Sequence, residues 1–132
     1  MLQKEERYRL TKAERITSEK EIEILFNQGK RKHFGTLALT WLIGSSDTEA
    51  LPKILASAPK KQFSKASDRN RIKRLIREAY RLLKGPLMRL AAEKRLNIQM
   101  AVIYTGRDLP DYHQVEQDMK EVIAWMLQRI AD

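Results

Sequence analysis

Apolar positions recur along the chain in two rhythms. Ile22, Leu25 and Phe26 fall three and four residues apart, which is the spacing of one helix face. The stretch "SEKE" (18–21) before them has the form of a capping box, with Ser18 bonding a backbone N–H and Glu21 reaching back. A first helix is therefore predicted from Ser18, closing at Gly29 in the left-handed position after the helix, with "KRK" (30–32) at its exit. The rhythm then changes to alternation. "HFGTLALTWLI" (33–43) predicts a strand, or two short ones broken near Gly35, with Leu37, Leu39, Trp41 and Ile43 on one face. "GSSDTEALP" (44–52) is a polar loop, and "KILASA" (53–58) is a short strand stopped by Pro59. Ser67–Lys84 returns to helical spacing, "GP" (85–86) closes it, and Pro86 can open a further helical piece through Leu90 and Ala91. "NIQMAVIYT" (97–105) is the last strand, and "GRDLPDY" turns into a final helix. On that helix Val115, Met119, Val122, Ile123, Met126, Leu127 and Ile130 form a stripe that reads as core rather than as a binding surface.

The predicted sheet has unequal faces. One is bulky and apolar and should pack against helices. The other carries Thr36, Ala38 and Thr40, joined by Ser57 and Ala101, and is small and semi-polar. A large helix would leave voids against so flat a face, so two readings stand side by side: a shallow groove, or a sheet face open to solvent.

Composition narrows the class. At 132 residues and 42% hydrophobic, the chain suits one folded domain over 1–132, with the charged residues 1–14 expected to form a flexible tail. It has no cysteine, which removes disulfides and thiolate metal sites and fits a reducing compartment. "MLQKEERYRLTKAER" lacks the apolar run of a signal peptide, and "LALTWLI" is too short to cross a bilayer, so a cytoplasmic protein is expected.

Charge changes the picture more. The net charge is +9, but it is not spread evenly. Residues 60–95 hold 13 basic and 3 acidic side chains, whereas 1–59 hold 10 and 8, and 96–132 hold 3 and 6. So concentrated an excess points to a polyanion, because a merely solvated surface would mix its signs. On "SDRNRIKRLIREAYRLLK" (67–84), Ile72, Leu75, Ile76, Ala79, Leu82 and Leu83 share one sector. Arg69, Asn70, Lys73, Arg74, Arg77, Arg81 and Lys84 share the opposite one, with Arg71 and Glu78 at an edge. The Lys73–Arg77–Arg81 row sets like charges four apart, and Arg69 and Arg71 sit at the positive end of the helix dipole. Stability does not ask for this, but an anion at that face would explain it. Anionic membrane is disfavoured because the apolar stripe is needed for the core. Duplex DNA is disfavoured because no short helix closely precedes Ser67. Structured RNA fits best, with phosphates on the cations and an aromatic such as Phe26 for stacking.

No catalytic constellation accompanies this face. Asp68, Glu78, Asp108 and Asp111 lack ligand spacing, and His33 and His113 lie in unrelated segments.

"KK…RNRIKRLIREAYR" resembles the signature of the bacterial ribonuclease P protein subunit: Lys-Lys after a strand, then an Arg-Asn-Arg-x-Lys-Arg-x-x-Arg-Glu helix. "ERITSEKEIEILFNQGK" resembles that family's first helix, and "MAVIYTGRDLP" its last strand and the approach to its last helix. The resemblance implies a single α+β domain in the order helix, three strands, helix, strand, helix, around a mostly antiparallel sheet. It also implies a left-handed crossover, against a right-handed norm of about 98%. It further implies an accessory subunit of an endoribonuclease. Such a subunit binds ribonuclease P RNA and precursor tRNA and assists removal of the 5′ leader, while the RNA does the chemistry with Mg²⁺. The protein itself would hold no cofactor and need no obligate protein partner or membrane. Carried over by position, Lys60, Lys61, Arg69, Asn70, Arg71, Lys73, Arg74, Arg77 and Arg81 would contact RNA. Ile22, Phe26, Thr36 and Thr40 would line the leader groove, Ile22 and Thr40 standing where the family often has aromatics. A ribosomal or RNA-assembly protein is the alternative reading of the same helix, and a DNA-binding regulator a more distant one.

Overall fold

The computed structural model describes residues 9–47 and 51–131. A 3₁₀ turn at Lys12–Glu14 leads into helix α1 (Glu19–Gln28) and strands β1 (Lys30–Phe34), β2 (Leu37–Ser45) and β3 (Lys53–Ser57). Helices α2 (Ala66–Leu83) and α3 (Gly85–Lys94) follow, then strand β4 (Leu96–Tyr104) and helix α4 (Tyr112–Ala131). The sheet order is β1-β2-β4-β3. β1 and β4 run antiparallel to β2, whereas β3 runs parallel to β4. Antiparallel neighbours need only a turn, but the parallel pair needs a crossover, and α2 with α3 supplies it. The expected α+β single domain is therefore present, with α3 a full helix rather than a fragment.

The bulky face of the sheet packs as expected. Leu37, Leu39, Trp41, Ile98, Met100 and Val102 form one core with Ile72, Ile76 and Ala79 of α2, Leu87 and Ala91 of α3, and Val115, Met119, Val122 and Met126 of α4. The small face is covered as well, by α1. Leu25, fully buried, packs with Ala101 and Ile16, with Ile22, Phe26, Leu42 and Leu55 around them. The small residues do not leave voids; they let a helix come close. Gly29 shows how close: a Cβ there would lie 2.9 Å from Thr40 Cγ2 and collide with the Leu25 carbonyl oxygen. Gly29 is extended (φ −73°, ψ 157°), not left-handed as the helix-end pattern suggests, because β1 begins at the next residue. The demand at this position is for room, not for positive φ. Positive φ falls instead on Gly35 (+58°), in the turn between β1 and β2. That turn is fastened to α4 by Asp118, whose carboxylate accepts from the Thr36 N–H at 2.9 Å and the Thr36 hydroxyl at 2.6 Å.

Two expectations at the N-terminal side change. Ser18 does cap α1, accepting from the Glu21 N–H at 3.4 Å, but the Glu21 carboxylate turns away to Lys53. Residues 9–14 are not a loose tail, while the remainder of that segment, 1–8, lies outside the described residues. Leu10 and Glu14 are buried, and the Glu14 carboxylate accepts from the Thr11 N–H and hydroxyl at 2.8 and 2.9 Å. The other Glu14 oxygen meets Lys84, a residue 1% exposed whose ammonium also donates to the Arg9 carbonyl. This strap over the end of α2 shifts the helix's buried arc. Tyr80 and Lys84 are enclosed, and Leu82, expected in the stripe, is 44% exposed.

A buried charge left without its partner typically costs about 3–5 kcal/mol, whereas replacing both partners with apolar groups is often neutral. Lys84→Met should therefore destabilise the protein by about 3–5 kcal/mol in denaturant titration. Glu14→Leu combined with Lys84→Met should recover most of that loss; equal destabilisation by the single and double variants would contradict a coupled pair.

Candidate nucleic-acid interface

Helix α2 presents its cations because its other side is in the core. With Ile72, Ile76, Ala79 and Tyr80 buried, Asn70, Arg71 and Arg74 are exposed, and Lys73 and Arg77 are half-buried along the rim. Among the described residues, none of Lys60, Lys61, Arg71, Lys73, Arg74 and Arg77 forms an ion pair. The front is thus an array of unneutralised charge. Partial burial, and then the nearby Arg15 guanidinium, hold the Arg77 pKa below its ordinary value.

The loop that carries Lys60 and Lys61 is pinned rather than loose. Phe63 is buried against Tyr104, ring centroids 5.7 Å apart, and its N–H donates to the Pro59 carbonyl at 3.0 Å. Gln62 reaches the Arg107 carbonyl at 2.9 Å. Arg69 completes the arrangement: Nη1 donates to the carbonyls of Phe63 and Ser64 at 2.8 and 2.9 Å. Arg69 therefore serves to hold the loop against the first turn of α2, which is a different task from offering a free fork to phosphate. Arg81 is also engaged, bonded to Glu78 through Nη2 at 2.6 Å and Nε at 3.1 Å. Those bonds hold the Glu78 carboxyl below its usual range. Lys84, placed on the front by its spacing, is buried with Glu14.

The four groove positions separate. Thr40 is 1% exposed beneath the end of α1, which takes it off the accessible surface. Thr36 is turned to Asp118 on the α4 side, its N–H and hydroxyl both used. Ile22 and Phe26, four apart on α1, remain half-buried on one flank of that helix. Glu21, Ile24 and Gln28 lie on the other flank, where they line a concavity with Leu42, Gly44, Asn97 and Gln99. The Phe26 flank thus borders the opposite end of the sheet, where Ala38 pairs with Ile103 and Ile103 with Ser57, all partly exposed. Lys60 and Lys61 follow directly from the β3 end of that row. The flank beside α1 and the cationic front are therefore neighbouring surfaces joined at the Lys60–Lys61 turn.

Among the described residues no three His, Asp or Glu side chains gather as a metal site. His33 and His113 are both exposed. No described helix is long and apolar enough to cross a membrane.

A family model described as "Ribonuclease P" matches residues 10–126, which includes α1, the sheet, α2 and most of α4. The chain belongs to the ribonuclease P protein family. It is 37% identical over 112 residues to the ribonuclease P protein component of Porphyromonas gingivalis, covering 85% of this chain and 82% of that protein. It is 31% identical to the component of Chlorobaculum tepidum, covering 96% of this chain and 88% of the relative. In fold it resembles the Staphylococcus aureus RNase P protein, with a TM-score of 0.66 at 20% identity, covering 87% of this chain and 96% of that one. The Thermotoga maritima RNase P protein superimposes with a TM-score of 0.58, also at 20% identity, covering 77% and 90% of the two chains. The densest motif resemblance falls on Lys60–Arg81, the stretch that forms the pinned turn and the cationic front.

The different duties of the arginines on α2 are separable by stability. Removing the Arg69 fork leaves two loop carbonyls without their charged donor, so Arg69→Ala should cost about 1–3 kcal/mol in chemical denaturation. Arg71→Ala and Arg74→Ala remove only exposed charge and should stay within about 0.5 kcal/mol of the parent protein. Equal effects from all three would remove the structural role given to Arg69.

Proposed function

We propose that this chain is the protein subunit of ribonuclease P, docking on the enzyme's RNA subunit and holding the 5′ leader of precursor tRNA while the RNA cuts. The observation that carries this reading is the unpaired cationic front of α2. Lys60, Lys61, Arg71, Lys73, Arg74 and Arg77, with Asn70 among them, stand on a rigid mount and have no acidic partner among the described residues. Guanidinium forks and ammonium groups meet phosphate oxygens with charge-assisted hydrogen bonds, and Asn70 can bond a base edge or a sugar. Membership of the family supplies the RNA partner that this chemistry fits.

The flank of α1 suits a single strand. Phe26 offers a half-exposed ring, and Ala38, Ile103 and Ser57 leave a low floor beside it. A base can stack on the ring while the backbone runs toward Lys60 and Lys61. Ile22 widens the apolar wall without adding a second ring. In this reading the protein contributes positioning and charge neutralisation. Mg²⁺ is held by RNA oxygens, and no side chain of this chain acts as acid, base or nucleophile. The protein works where the RNA works, in the cytoplasm.

Two experiments test the reading. The isolated protein, freed of RNA, should cleave no precursor tRNA, yet should raise cleavage when added to a ribonuclease P RNA at low Mg²⁺. Its cations then offset the RNA–RNA repulsion that Mg²⁺ otherwise screens. Cleavage by the RNA-free protein would place catalysis in the protein and overturn the assignment.

Phe26→Ala should lower the preference for precursor over mature tRNA by about 1–3 kcal/mol, the worth of one base–aromatic stack. It should leave affinity for the RNA subunit nearly unchanged. Since Phe26 also packs beside Leu25, a thermal melt accompanies the binding measurement. A large fall in melting temperature with an unchanged leader preference would make the ring a packing element alone.

A further inference from the structure

The N-terminal strap adds cations that the charge balance of the sequence conceals. Residues 9–17 carry Arg9, Lys12 and Arg15 and one acid, Glu14. The fold turns that acid inward to Lys84, while Arg9, Lys12 and Arg15 are exposed. Arg9, Lys12 and Arg15 line a concavity of about 550 Å³ with Leu10, Thr11 and Thr17. Lys12, Arg15 and Thr17 border a second of about 480 Å³ that reaches Glu21 and Lys53. Glu21 is already engaged by Lys53, so it does not neutralise the strap. Among the described residues Arg9, Lys12 and Arg15 have no acidic partner, and Arg15 lies close enough to Arg77 to disfavour that guanidinium's charge.

These cations are mounted, not trailing. Leu10 and Ile16 are buried, the Ile16 N–H donates to the Ile54 carbonyl at 3.0 Å, and Glu14 is fixed by both Thr11 and Lys84. A strap that needed only to enclose Tyr80 and Lys84 would have no reason to set its guanidinium beside one already on α2. Like charges held together on a rigid support are relieved by a polyanion that spans them.

We propose that the strap is a second phosphate-binding segment, in which Arg9, Lys12 and Arg15, with Arg77 opposite and the Thr17 hydroxyl beside them, take successive backbone phosphates of the RNA subunit. The inference rests on the reading of this chain as a ribonuclease P subunit. It extends the cationic track from Lys60 along α2 and past its midpoint onto the strap. The ligand is assigned to the RNA subunit rather than to the leader because of position. The strap adjoins the second half of α2 and the Glu21 side of α1, away from the Phe26 flank.

The test uses the full chain with Lys12→Ala and Arg15→Ala combined. Affinity for ribonuclease P RNA is measured across a salt series beside a thermal melt. With two phosphates no longer neutralised, the slope of log K against log[salt] should become shallower by about 1.5–2. Affinity near 0.1 M salt should fall at least about tenfold, while the ratio of precursor to mature tRNA binding and the melting temperature stay as in the parent. If the alanine pair melts early, Lys12→Gln with Arg15→Gln keeps more of each side chain and repeats the measurement. An unchanged slope and affinity, with the parent binding the RNA normally, would overturn the strap site and leave the functional reading intact. Loss of leader preference without loss of RNA-subunit affinity would overturn the assignment of the ligand. Failure of the parent itself to bind ribonuclease P RNA would overturn the reading beneath both.

Discussion

Helix α2 is held by burial of Ile72, Ile76, Ala79 and Tyr80, and the cationic face exists because that burial leaves the helix no rotational freedom. Once those four side chains are in the core, Asn70, Arg71, Arg74 and Arg77 have only the outer side to occupy. The arrangement opposes local electrostatics, since cations four apart repel and the first turn already carries the positive end of the dipole. Each such repulsion is worth a few tenths of a kcal/mol, whereas a fully buried aliphatic side chain contributes about 1.5–3 kcal/mol. Core packing therefore wins easily, and the like-charge repulsion remains on the outer side of the helix.

Several cations of this region are not part of the exposed cationic face at all. Arg69 closes the loop between β3 and α2, Arg81 is bonded to Glu78, and Lys84 is buried with Glu14. These three make the mount stiff and leave display to their neighbours. The parallel pairing of β3 with β4 places the Lys60–Lys61 turn at the end of the sheet where α2 begins, and Phe63 against Tyr104 keeps it there. In the proposed role a rigid turn would lose little entropy on meeting RNA, so packing remote from the surface would serve binding.

The small face of the sheet follows a related logic. Ala101, Thr40 and Gly29 let α1 lie close enough for Leu25 to be fully buried. The helix covers the middle of that face and leaves a flank on each side. The Phe26 flank opens toward Lys60, and the other toward Asn97 and Gln99. An aromatic at Thr40's position would meet Gly29 rather than solvent, so its absence here follows from how tightly α1 is seated.

Several of these features were determined by the sequence alone. Alternation from Leu37 to Ile43 and the helical spacing of Ile72, Ile76 and Ala79 specified strand and helix, because periodicity depends only on local backbone geometry. The cationic excess of residues 60–95 and the motif "RNRIKRLIREAYR" pointed to RNA for the same reason: side chains on one helix face need no distant contact to be counted together. Tertiary structure decided everything that depends on what lies opposite. Thr40 reads as a groove residue until α1 covers it, and Thr36 until Asp118, 82 positions away, takes its donors. Lys84 belongs to the cationic front by spacing, and only the strap folding back from Glu14 removes it. Arg15 lies in a segment of nearly balanced charge, and only its placement beside Arg77 makes it part of a basic surface. Local pattern encodes which face a residue is on, but burial, partnering and charge compensation are pair properties, and the partner's identity is set by chain topology.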